Sequence, residues 1–225
     1  MYFDSTMLIL LPALIIAMWA QFNIQRSYSV YSKVYSKNGY NGSTVARMIL
    51  DAYGLFEVPV VVTSGKLTDH YDPVQNIVRL SQEVYYGNSL ASIGIAAHEV
   101  GHAIQHKEAY GPIKIRMALV PVANLGSNAS WMLFILGFIL SMPMLINLGI
   151  LLFTVVVLFQ IVTLPVEFNA SSRAVNILRT RNILFEDELK GTKKVLRAAA
   201  LTYVAAALTA IAQLLRLIAL SNRER

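Results

Sequence analysis

Long apolar runs alternate with polar segments along the chain, and the hydrophobic period changes between them. An apolar run from Met7 to about Phe22 comes first. Within the polar stretch that follows, Val45, Met48, Ile49 and Ala52 recur at helical spacing. That spacing predicts an amphipathic helix from a Ser43 cap to Tyr53, ended by Gly54. Val58 to Thr63 is rich in β-branched residues and predicts a strand, with Ser64-Gly65-Lys66 as a turn. Asp69 to Pro73 predicts a loop, since proline keeps the residue before it extended. Ile77 to Leu80 predicts a second short strand. Asn88 or Ser89 is placed to cap a helix running to about His106. From Met117 to Val166 there is no Asp, Glu, Lys or Arg. One helix of that length would extend about 75 Å, against about 30 Å of hydrocarbon in a bilayer. The run therefore predicts two crossings joined by a turn around Ser141 to Asn147, where Pro143 and Asn147 suit a turn. After a polar segment, Ala198 to Leu215 is uncharged and alanine-rich, with Arg197 and Arg216 able to snorkel at its ends.

These segments predict a mainly α integral membrane protein with about four transmembrane helices and a small α+β part on one side. The chain divides into an N-terminal transmembrane helix (1–22), a polar region (23–116), a transmembrane hairpin (117–166), a polar helical region (167–197), and a last transmembrane helix with its tail (198–225). The first helix is read as retained rather than as a cleaved signal. Its leading residues carry Asp4 and no base, and a cut after Ala20 would put the large Met18 at the −3 position. Pro12 predicts a kink in it.

Composition agrees with a membrane setting. Charged residues are 14% of the chain, against about 25% in soluble domains, and the mean hydropathy is +0.53. With no cysteine, disulfides, thiolate metal sites and cysteine nucleophiles are excluded. The net charge of +6 brings no Lys/Arg run with interleaved aromatics, so nucleic acid is not an expected partner. All of the 19 Lys and Arg except Arg216, Arg223 and Arg225 lie in the two polar regions, which the positive-inside rule places in the cytoplasm. Arg223 and Arg225 conflict with a fourth crossing under the same rule.

The chemistry is concentrated in His98-Glu99-Val100-Gly101-His102. On a helix, positions i and i+4 share a face, so the two imidazoles can hold one zinc ion. Glu99 beside the first of them is placed to take a proton from an activated water and deliver it to a leaving amine. The small Gly101 is expected to leave room beside the metal. A chance occurrence of this pattern is uncommon, and its position in mid-helix after a β-rich segment supports a metal site.

A catalytic zinc needs a third protein ligand and an open position. If residues 117–166 cross twice, the chain returns to the side of His98 at Val166, and the first charged residue there is Glu167. A charge at the mouth of a transmembrane helix is costly without a partner or a function, which points to Glu167 as the third ligand. The bland alternative is an interfacial Glu paired with Arg173 or water. Glu108 stands where another ligand spacing would put a third group, but Gln105 replaces the glycine that such a turn needs. His106 reads as a helix-end histidine facing solvent, and Glu186-Asp187-Glu188 as a solvated helix start.

Three segments carry a resemblance: Leu67-Thr-Asp-His-Tyr-Asp-Pro73, Ile93-Gly-Ile-Ala-Ala-His-Glu-Val-Gly-His-Ala-Ile-Gln105, and Pro165-Val-Glu-Phe-Asn-Ala-Ser171 continuing to Arg173-Ala174. The chain resembles the YugP-like neutral zinc metallopeptidases of bacterial membranes over most of its length. Its layout is also similar to HtpX-type and CAAX-type membrane proteases. The resemblance implies that His98, His102 and Glu167 bind one Zn2+ per chain in a small zincin-like part, with Glu99 as the base. The HtpX-type pattern has Asp or Asn four residues after the Glu, where this chain has Ser171. Ser171 or Asn169 is then the candidate to orient a ligand histidine.

Other candidates are weaker. His70 can donate to an oxyanion or simply bond its own turn, and Tyr71 and Tyr85 are alternatives for the same role. Ile77, Val78, Arg79 and Leu80 can form an edge strand that pairs with an extended substrate, or a packed strand with no ligand. Arg173 either stabilises transition-state charge or pairs with a neighbouring acid. Trp19 and Trp131 read as core or interfacial aromatics. The leading expectation is a membrane-anchored zinc endopeptidase of the gluzincin type, acting on peptides or membrane proteins at the bilayer surface. A site-2-type intramembrane protease and a non-catalytic scaffold with a structural metal site are the alternatives. The oligomeric state is not legible in the sequence.

Overall fold

A computed structural model of the protein describes residues 5–223. Asp4 and Arg225, on which the readings of the two termini drew, lie outside the described residues. The elements are α1 (Leu11–Tyr31), α2 (Gly42–Ala52), β1 (Val60–Thr63), β2 (His70–Asp72), β3 (Ile77–Ser81), α3 (Gln82–Tyr85), α4 (Leu90–Lys107), α5 (Gly111–Ile139), α6 (Pro143–Thr180) and α7 (Glu186–Arg223). They fall into two compact units. One takes the chain up to Gln21, Gly111–Pro165 and the residues from Leu201 onward. The other takes Phe22–Tyr110 and Val166–Ala200.

The first unit is helical throughout. Four helices of the described chain are long and apolar enough to cross a membrane, namely those within Thr6–Tyr31, Gly111–Ile139, Pro143–Thr180 and Glu186–Asn222. The protein is thus a mainly α membrane protein. Large apolar side chains such as Met18, Leu125 and Leu151 are more than half exposed, as lipid-facing positions are. The α5–α6 hairpin packs closely. A Cβ on Gly126 or on Gly149 would come within 2.8 Å of a carbonyl oxygen of the facing helix, the small-residue approach expected without a hydrophobic drive between helices. Pro143 opens α6 as its first residue, where its missing N–H costs nothing. The turn itself is Leu140 to Met142, with Ser141 at φ 51°. Two expectations need correction. Pro12 does not kink a helix interior, because α1 begins at Leu11. That helix also runs past the apolar stretch to Tyr31, since no breaker intervenes.

The second unit is the α+β part. Its sheet has the order β1-β3-β2, with β1–β3 parallel and β2–β3 antiparallel. Ile77 to Leu80 therefore belong to the central strand, and the expectation that they form a free substrate edge is corrected: both edges of β3 are already hydrogen-bonded. The outer strand is β2, in the segment expected to be a loop. Three residues are too few for a local signal, and it is the register His70↔Arg79, Tyr71↔Val78, Asp72↔Ile77 that makes them a strand. The hairpin turn is built by the Asp72 carboxylate, which accepts from the Val74 and Gln75 backbone N–H groups at 2.9 and 3.0 Å. These bonds and Arg79 hold its carboxyl below the usual range. The cap of α2 is Asn41 rather than Ser43. Its Oδ1 accepts from Thr44 N at 2.8 Å and also from the Ser43 hydroxyl.

Fourteen of the 18 residues of α4 are buried. One core gathers Ile49 and Leu50 of α2, Val78 and Leu80 of β3, Ile93, Val100 and Ile104 of α4, and Leu178 and Leu189 of α6 and α7. Ser89 caps α4, accepting from Ser92 N at 3.1 Å. At the start of α7, Glu188 is not solvated as expected: it is 4% exposed and accepts from the backbone N–H groups of Phe185 (2.8 Å) and Lys37 (2.7 Å). It closes the helix start in the manner of a capping-box acid.

Candidate metal centre

The polar residues of a buried helix need partners, and those of α4 find them along one line. Gly101 is where α6 crosses: a Cβ there would stand 2.9 Å from the Ala170 carbonyl oxygen. So the side chain this position lacks gives room to the neighbouring backbone, not to a metal as expected. Glu167 lies one turn before Ala170 on α6 and is carried to the two histidines of α4.

The ligand atoms of His98, His102 and Glu167 lie within 4.8 Å of one another. Glu167 Oε2 is 3.2 Å from His98 Nε2 and 3.6 Å from His102 Nε2. The rings of His98 and His102 are nearly perpendicular, with centroids 4.7 Å apart. Donor atoms about 2.0–2.1 Å from a tetrahedral zinc stand about 3.3 Å apart, so the spacing fits such an ion. Glu167 is 2% exposed. A carboxylate so buried is costly by several kcal/mol unless a cation or hydrogen-bond donors face it.

The outer nitrogens of both rings are engaged. His98 Nδ1 is 3.1 Å from Ser171 Oγ, and His102 Nδ1 is 3.0 Å from Gln105 Oε1. The Gln105 oxygen can only accept, so it puts the His102 proton on Nδ1 and turns the Nε2 lone pair inward, the tautomer a metal ligand needs, and the Ser171 hydroxyl is able to accept from His98 in the same way. Gln105 is fully buried, and its Nε2 donates to Val166 O (2.8 Å) and Asn169 Oδ1 (2.9 Å). It thus ties a histidine of α4 to the turn of α6 that carries Glu167. Sequence reasoning weighed Gln105 only as a missing glycine and did not find this role. Asn169 serves Gln105 rather than a histidine, and accepts from Arg173 Nε at 2.7 Å.

Of the remaining candidates, Arg173 pairs with Glu108 at 2.6 Å, which accounts for both residues. His106 is partly buried, and its Nδ1 is 2.8 Å from the Tyr71 hydroxyl, a partner the sequence reading did not foresee. His70 bonds Thr68 O through Nδ1 at 2.7 Å, the bond to its own turn. With the proton at Nδ1, a neutral His70 has no second N–H to offer an oxyanion. The Tyr71 hydroxyl is taken by Asn76 and His106. Tyr85 packs edge-on to Tyr86.

Glu99 is 9% exposed, and its Oε2 accepts from the Tyr71 backbone N–H at 3.1 Å. Opposite Tyr71, Val78 sends its own N–H to Pro59 O on the β1 side, so Tyr71 points its N–H away from the sheet. The outer edge of β2 thus faces the carboxylate of Glu99. Just before it, Asp69 holds β2 to β3 by accepting from Ser81 N (2.7 Å) and Oγ. Burial raises the Asp69 carboxyl above its ordinary range.

The family profile described as "Putative neutral zinc metallopeptidase" matches residues 6–222. The chain is 50% identical over 208 residues to the Bacillus subtilis (strain 168) protein named "Putative membrane protease YugP", a match that covers 92% of each. No solved structure gives a significant match. On the extent of the profile match and this identity, the chain belongs to the neutral zinc metallopeptidase family.

Proposed function

We propose that the protein is a membrane-embedded zinc endopeptidase that cuts peptide bonds at or near the membrane surface, with its site on the cytoplasmic side. The observation that carries the reading is the convergence of His98 Nε2, His102 Nε2 and Glu167 Oε2, with both Nδ1 atoms already engaged. These three residues would hold one zinc ion, which when bound supplies a Lewis acid for the scissile carbonyl and makes water more acidic. Glu99 takes the proton of the attacking water and passes it to the leaving amine. Its Oε2 is held by Tyr71 N–H, so Oε1 is the oxygen that moves the proton. Ser171 and Gln105 hold the two imidazoles in the inward-facing tautomer. This is the gluzincin arrangement, with a Glu as third ligand.

The site-2 reading is less well supported, because α4 is not among the described helices apolar enough to cross a membrane. A purely structural metal site gives no use to a buried Glu99 bonded to an outer strand. The test is metal content and casein cleavage of the detergent-solubilised protein, wild type beside Glu99→Gln and Glu167→Ala. Wild type should hold about one zinc and cleave. Glu99→Gln should keep zinc and lose about 10²–10⁴-fold in kcat, and Glu167→Ala should lose metal. A metal-free wild type, or Glu99→Gln cleaving at the wild-type rate, would sink the proposal.

A further inference from the structure

Strand β2 has three residues, the short end of the usual range, and is laddered on one side only. Its middle residue is fastened to α4 at two points. The Tyr71 backbone N–H donates to Glu99 Oε2 at 3.1 Å. The Tyr71 hydroxyl donates to Asn76 Oδ1 at 2.7 Å and lies 2.8 Å from His106 Nδ1. A phenol has one proton, so with Asn76 accepting it, His106 donates to the hydroxyl oxygen. Burial pushes the hydroxyl up to about 12, which keeps it protonated at neutral pH. Glu99 and His106 are seven residues apart on α4 and so lie on one face, two turns from each other. Tyr71 bridges them, while Asn76 ties the same hydroxyl to the hairpin turn.

We infer that Tyr71 is a positioning residue: with His106 it clamps β2 against α4, so that the Tyr71 N–H fixes one oxygen of Glu99 and leaves the other for proton transfer. The inference rests on the function proposed above for its catalytic meaning. The clamp itself is a matter of structure alone. A tyrosine that merely filled the core would bury its ring equally well, but its hydroxyl would have no need of a partner on the Glu99 face of α4.

The test uses the full-length protein with Tyr71→Phe, His106→Leu, their double variant, His106→Gln and Glu99→Ala. Tyr71→Phe and His106→Leu should each lose about tenfold in kcat, with KM and zinc content unchanged, because a slightly misplaced carboxylate slows the chemical step without altering binding. The double variant should be no worse than the worse single one, and His106→Gln, which keeps a donor, should recover most of the rate. Amide hydrogen exchange on zinc-stripped protein should be faster in the peptide covering 68–76 for Tyr71→Phe, His106→Leu and Glu99→Ala alike, with the peptide of α4 unchanged. Multiplying losses in the double variant, or zinc lost together with kcat, would overturn the clamp. So would unaltered exchange in Tyr71→Phe and His106→Leu. An inert wild type would overturn the proposed function instead, and the exchange measurement would still decide the clamp.

Discussion

Gln105 uses all its hydrogen-bonding reach inside the protein, on His102, Val166 and Asn169, and has no exposed surface. Replacing it with leucine removes the acceptor at His102 Nδ1 and leaves buried polar atoms without partners. Gln105→Leu should lower zinc affinity about 10–100-fold, read by competition with a chelating dye. Unchanged affinity would mean that Gln105 is only core. At this scale the sequence was legible where chemistry repeats at helical spacing. His98 and His102 are one turn apart, and Glu167 stood out as a lone acid beside an apolar run. Gln105 and Tyr71 were opaque for one reason. Their partners Val166, Asn169 and His106 lie 61, 64 and 35 residues away along the chain, and no local pattern records such pairings.

Helices were legible because their apolar periods are long, whereas the strands of this small sheet are three to five residues long and their order depends on pairing. The β3 segment was open to two readings, a substrate edge or a packed strand, because composition says nothing about which strand lies between two others. The crossing of α4 and α6 is the contact on which the candidate centre depends, and Gly101 sets its distance. In Gly101→Ala the new methyl meets the Ala170 carbonyl oxygen, and α6 must shift with Glu167. The variant should be destabilised by about 1–3 kcal/mol and should bind zinc more weakly. Thermal unfolding with and without added zinc checks both. A melting temperature and zinc response equal to wild type would show that the helices have slack at the crossing.

At the scale of the whole molecule, the polar and apolar regions of the sequence do not end where helices end. Single helices, α6 from Pro143 to Thr180 and α7 from Glu186 to Arg223, pass through the changes in composition that the sequence shows near Val166 and Ala198. Hydropathy reports the surroundings of a residue, while helix length reports where the backbone is broken, and the two need not coincide. The proposed orientation follows from the concentration of Lys and Arg in 23–116 and 167–197. A reporter inserted at residue 60 should read cytoplasmic in whole cells. An extracytoplasmic signal would reverse the orientation while leaving the site intact.

The donor set at the candidate centre is two imidazole nitrogens and a carboxylate oxygen, in a chain without a single cysteine. Zinc itself has no redox chemistry, and none of these donors is a thiolate, the group that peroxide converts stepwise to sulfenic, sulfinic and sulfonic acids. A cell under oxidative attack would eject zinc from sulfur-ligated sites well before it disturbed this one. A zinc ion held by these three donors would stay in place under conditions that strip sulfur-ligated sites.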